Sequence, residues 1–180
     1  MQIVTFLFLA FITAYSYGQD IVYNVAGNIY FKSDAPLELI EARSSELKGL
    51  VDFSKNTFAF SVPIVSFKGF NSSLQREHFN ENYMESEKYP RASFSGRIIE
   101  DVDLSNDGEH VIRAKGKLLI HGVEQERIIR ATISVKEKAV TITSNFTVLL
   151  QDHNIAIPKV VQQKIAEEIF VEINASGQQK

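Results

Sequence analysis

One stretch, QREHFNENYMESEKYPRASFSG over residues 75–96, gathers two guanidinium groups (Arg76 and Arg91), an imidazole (His78), two phenols (Tyr83 and Tyr89) and a row of carboxylates (Glu77, Glu81 and Glu85). His78 beside Glu77 has the makings of a general base. It equally suits a polar residue that caps a cavity and bonds a backbone carbonyl. Arg76, at the start of a helical pattern, suits a phosphate or polar head group. Its plainer reading is a solvated helix residue paired with Glu77, Asn80 or Glu81. Seven residues are two turns of an α-helix, so Arg76 and Tyr83 share a face with Phe79 between them, while His78 lies about 200° around from Arg76. The three glutamates, four apart, form a solvated face.

Other chemistry is sparse. There is no GxSxG elbow, HExxH pair, glycine-rich phosphate loop or calcium-loop pattern. The four histidines stand apart in sequence. His121 precedes a glycine and reads as a turn residue. His153 beside Asp152 offers two ligands, too few for a metal centre. The chain has no cysteine, which removes disulfides, thiolate metal sites, a cysteine nucleophile and an N-terminal lipid anchor. No catalytic residue, metal ligand or cofactor is assigned.

The elements around this stretch read mainly as strands. Ile21 to Phe31 is a first strand, in which Gly27 signals a bulge or close approach. Pro36 opens a helical turn or two through Arg43, and Leu47 to Asp52 is a short strand. Phe58, Phe60, Val62 and Ile64 share one face of an alternating strand, where Pro63 marks a bulge or an edge. Pro90 ends the helical stretch, and Arg91 to Glu100 is again a strand. Asn-Asp-Gly after Ser105 is a hairpin signal. Ile112, Ala114, Gly116, Leu118 and Ile120 alternate with Arg113, Lys115 and Lys117. The same period recurs in Ile129 to Val135 and in Val140 to Val148, which puts Ile142 and Phe146 inward. A short amphipathic helix is expected near Val160 to Glu167, a last strand at Ile169 to Ile173, and a polar tail from Ala175 to Lys180. About eight hairpin-connected strands with helical detours favour a closed barrel over a sandwich. The Phe58 row fits either a packed core or the wall of an apolar cavity.

Composition agrees. Ile3 to Ile12 is almost continuously apolar, and Ser16 and Gly18 are small residues at cleavage spacing. Residues 1–18 are therefore expected to be a secretory signal and residues 19–180 one mature domain, with no stable membrane span after cleavage. Net charge is −3 and basic residues are scattered, which argues against nucleic acid as a partner. Phenylalanine and β-branched residues favour sheet.

Several segments together resemble the YceI-like family of exported, polyisoprenoid-binding proteins. They are Ile29-Tyr30-Phe31 with Ala35-Pro36-Leu37-Glu38, Phe58 to Ile64, Arg76 to Met84, Tyr89 to Phe94, Gly116-Lys117-Leu118 with His121-Gly122-Val123, and Ile157-Pro158. They run in family order over nearly the whole mature chain. The resemblance implies an all-β, extended, lipocalin-like eight-stranded antiparallel barrel capped by short helices. It implies an isoprenoid, quinone or fatty-acid-like lipid as partner, no catalysis, and a periplasmic or secreted location. Phe58, Phe60, Val62, Phe67, Phe79, Phe94, Ile142 and Phe146 would then face the lipid tail. Arg76, His78 and Tyr83 would face the head, with Arg76 and Tyr83 as the principal pair. Two other readings stay open: a small-lipid-modifying enzyme with His78 as base, and an interaction module with a fully packed barrel. A homodimer is also left open.

Overall fold

A computed structural model describes residues 22–102 and 106–179. The expected signal segment and Ser105 lie outside the described residues. Period-two alternation decides which side chains turn inward. Ile112, Ala114 and Leu118 are buried, whereas the intervening Val111, Arg113, Lys115 and Lys117 are exposed. Eight strands follow: β1 (Val22–Asp34), β2 (Leu39–Asp52), β3 (Thr57–Pro63), β4 (Arg91–Ile98), β5 (Gly108–Ile120), β6 (Val123–Lys136), β7 (Ala139–Leu149) and β8 (Glu168–Gln179). Each pairs antiparallel with the next and β8 pairs with β1, so the sheet closes into the expected eight-stranded barrel.

Turn chemistry sets the tight connections. His121 and Gly122 have φ of 51° and 74°, and Glu137 and Lys138 have 49° and 65°. Two consecutive positive φ angles match the right-handed twist of the flanking strands. Gly27 sits where the β1–β2 register shifts, and a Cβ there would lie 2.1 Å from the Asn174 carbonyl oxygen. The close approach expected at this glycine is therefore made by β8.

Four expectations change. Residues 36–43 form no helix: after a short turn the chain enters β2, which runs unbroken through the segment read as a separate strand. The helix expected at Val160 to Glu167 is a 3₁₀ turn at Lys159–Val161 followed by irregular chain. The polar tail from Ala175 is the second half of β8, paired with both β1 and β7. Pro63 is not on an edge; it ends β3 opposite Arg91 in a closed barrel. Pairing along the full length of β1 extends β2 and β8, and the loop near Gln163 accepts from the Leu37 amide; no local pattern encodes these partners.

The two barrel ends differ. Tyr23, Val25, Phe53, Val135 and Val140 are buried together at one end, with Tyr23 and Phe53 edge to face at 5.5 Å. The crossover from Ile64 to Pro90 folds over the other end. It contains α1 (Ser73–His78), and Ser72 caps this helix by accepting from the Gln75 amide at 3.1 Å. Ile64, Met84 and Ile155 join the crossover to the loop between β7 and β8.

Candidate functional site

Inside the barrel lies a cavity of about 510 Å³, within the range of about 300–1,000 Å³ usual for small-molecule sites. Its wall comes from the inward faces of the strands. Phe58, Phe60, Val62, Phe67, Phe79, Phe94, Ile142 and Phe146 all border it. The barrel is therefore not packed solid. Phe31, Phe67, Phe70 and Phe79 form an aromatic roof under the crossover. Phe79 stacks on Phe31 at 5.4 Å and meets Phe70 at 5.0 Å. Lower down, Phe58 and Phe94 are 4.9 Å apart.

The helix over the opening is not uniformly α-helical. α1 ends at His78 and one π-helical turn follows, Phe79–Tyr83, closed by the Met84 amide donating to the Phe79 carbonyl at 2.9 Å. A wider turn rotates the residues after it relative to those before. Tyr83 consequently borders the cavity while Arg76 does not. Arg76 is exposed and donates to the Val65 carbonyl at 3.2 Å. Arg76 and Tyr83 therefore do not share the cavity wall, as a continuous 3.6-residue repeat would require. His78 borders the opening and is exposed. Burial pushes the Tyr83 hydroxyl pKa up.

Sequence reasoning missed Glu38, Gln75 and Lys164, which also border the opening. Gln75 donates to Glu38 at 2.9 Å, joining α1 to the β1–β2 turn. The Leu37 amide donates to the Gln163 carbonyl at 2.9 Å, and the Ala166 amide to the buried Ser33 hydroxyl at 2.9 Å. Asn71 reaches the Leu39 carbonyl at 2.9 Å. Three segments are thus tied into a ring around the opening. Ile40-Glu41-Ala42-Arg43 alternates and was the signal for a strand, but Leu37 and Leu39 fall on its outer face, so no local pattern placed Glu38 at the opening.

His153 and His121 pin the capping loops. His153 is wholly buried, and its Nδ1 lies 3.1 Å from the Val123 carbonyl, so Nδ1 carries the hydrogen. His121 Nδ1 donates likewise to the His153 carbonyl at 3.1 Å. Burial holds the His153 pKa below its usual 6.5, against the opposing pull of the Val123 and Ile120 carbonyls and Asp152. The folded protein thus binds this proton less readily than the unfolded chain. The resulting stability is fully present above the unfolded value and lost as pH falls toward the depressed folded value. Thermal melts on acidification below about pH 6.5 should therefore shift down in wild type and shift less in His153→Asn. Equal slopes for the two would mean that another group sets the acid sensitivity.

Among the described residues, no three His, Asp or Glu side chains converge as a metal cage, and no helix is long and apolar enough to cross a membrane. Comparison with known proteins gives one family: the model of the YceI-like domain matches residues 25–176. No curated protein matches the chain. Among solved structures, a polyisoprenoid binding domain from Saccharophagus degradans, implicated in plant cell wall breakdown, superposes with a TM-score of 0.74 at 12% identity, covering 90% of this chain and 100% of its own. BcnA of Burkholderia cenocepacia gives 0.68 at 14% identity, over 83% of this chain and 94% of its own. The YCEI protein of Campylobacter jejuni gives 0.55 at 13% identity, with both chains fully covered. At these identities the likeness is one of fold.

Proposed function

Because the chain belongs to the YceI-like domain family, we propose that it is an exported lipid-binding protein that holds the tail of a long-chain isoprenoid, or of a similar amphipathic lipid such as a quinone or fatty acid, inside its barrel. The observation that carries this reading is the cavity: apolar along its length, filled in at one end and bordered by polar groups at the other. The name of the Saccharophagus degradans relative, a polyisoprenoid binding domain, points the same way. Burying apolar chain stabilises a complex by about 0.8 kcal/mol for each methylene, so a wall of Phe, Ile and Val needs no charge to retain a tail. The eight wall residues Phe58, Phe60, Val62, Phe67, Phe79, Phe94, Ile142 and Phe146 would contact it. The head would sit among His78, Tyr83, Glu38, Gln75 and Lys164, with Arg76 outside the wall on the same helix.

Catalysis finds little support in the geometry. His78 is exposed, and a base normally needs a partner to orient it. The protein is read as a binder in the periplasm or outside the cell, serving transport, storage or sensing. Organic extraction of protein purified from its own host, followed by mass spectrometry, tests this. A retained long-chain lipid in near-stoichiometric amount is the expected result. Absence of such a lipid, together with no binding of an added polyprenyl probe, would reject the proposal.

A further inference from the structure

We infer that the ring around the cavity opening is a docking collar for a lipid bilayer surface, from which the tail enters the barrel. Four large apolar side chains stand exposed in the three segments that form this ring: Leu37 (66%) and Leu39 (48%) at the β1–β2 turn, Leu74 (56%) on α1, and Val160 (89%) in the β7–β8 loop. Exposed apolar side chains are ordinary when scattered. These are held together, because the bonds Leu37 to Gln163, Asn71 to Leu39 and Gln75 to Glu38 tie their segments into one rim. Leu74, on that rim, also borders the cavity, as do the adjacent Ile40, Val161 and Ile165. Apolar side chains therefore stand both on the outside of the rim and on the cavity wall next to it.

That adjacency decides the occupant. A lipid tail leaving a bilayer through water exposes every methylene. Passing it directly from the acyl region into the cavity avoids that exposure only if the opening is pressed against the membrane. The collar has the composition of such a contact: bulky aliphatic groups to enter the interface, with charged side chains of both signs around them at head-group level. Lys159 and Lys164 flank Val160 in the β7–β8 loop, and neither makes an ion pair among the described residues. Glu38, Glu77 and Glu167 lie on the same three segments, and the neutral Gln75 amide leaves the Glu38 charge in place, so the rim has no net cationic character and its apolar groups carry the contact.

The inference rests on the lipid-binding reading, so its test is separate from the extraction. The full mature protein is co-sedimented with vesicles of phosphatidylcholine mixed with phosphatidylglycerol, and with vesicles of phosphatidylcholine alone. Wild type should pellet with both kinds of vesicle, and added salt should change this little, because the contact is apolar. Leu37→Ser/Leu39→Ser/Val160→Ser changes only exposed side chains that do not border the cavity. It should partition at least about tenfold more weakly while retaining as much extractable lipid as wild type. Val160→Asp alone, at the most exposed position, should give a loss in the same direction, which guards against a misfolded triple variant. Val111→Ser/Ile128→Ser, on the exposed outer face of β5 and β6, should bind vesicles like wild type. Failure of wild type to pellet, or equal losses for the collar and outer-face variants, would overturn the collar even if the barrel retains lipid.

Discussion

A chain ended after Ile173 is expected to lose its closed barrel. The residues from Ala175 look like a polar tail, yet Asn174 to Gln179 form the second half of β8. They pair with β1 from Asn28 to Tyr23 and with β7 from Thr143 to Ala139. Ala175 is buried, and a Cβ on Gly177 would meet the Val25 side chain, so this half-strand also closes over the filled end of the barrel. Each backbone hydrogen bond contributes about 1 kcal/mol net. Losing two half-seams and their packing is therefore comparable with the whole stability of a domain, about 5–15 kcal/mol. The truncated sheet would also present two bare strand edges that invite association. Circular dichroism should show no cooperative melt, and size exclusion should show aggregates. A monomer melting within a few degrees of the full-length protein would mean that β8 closes the barrel with its first half alone.

The second large effect is expected from Ala131→Trp. Ala131 lies on β6 between Ile112 and Ser144 and faces the cavity as one of the small residues in its wall. An indole there extends into space that a lipid tail would otherwise fill. Displacing about four methylenes, at about 0.8 kcal/mol each, costs about 3 kcal/mol, or roughly 200-fold in affinity. The protein itself should change less, because the ring enters a cavity and not a packed core, where overpacking costs about 1–3 kcal/mol. Titration with a fluorescent polyprenyl analogue, alongside a thermal melt, separates the two effects. Unchanged affinity with an unchanged melt would show that the tail does not pass this section of the barrel.

The inner wall was legible in the sequence because a strand reports its faces every second residue. Phe58, Phe60 and Val62 on β3, and Ile142 and Phe146 on β7, turn inward as their alternation requires. The head end was less legible. Arg76 and Tyr83 were paired on the assumption of one continuous α-helix, and the π turn at Phe79 breaks that repeat without a local sequence mark. In the sequence, His153 beside Asp152 offers only two ligands, too few for a metal centre. It is instead a wholly buried group bonding the Val123 carbonyl thirty residues away. Its burial follows from the packing of a loop over the barrel end, which no neighbour in sequence reveals.

The sequence by itself determined the class of fold, the inward and outward faces of most strands, and the tight turns at His121-Gly122 and Glu137-Lys138. These are local matters of side-chain period and backbone dihedral preference. It also carried, through segments in a recognisable order, the family to which the chain belongs. Only the tertiary structure decided that β8 closes on β1, that the interior is hollow, and which of the polar side chains near α1 border the opening. A packed core and a cavity wall demand the same inward-facing residues. The difference is a volume enclosed by eight strands at once, and the seam between first and last strands joins residues more than a hundred positions apart.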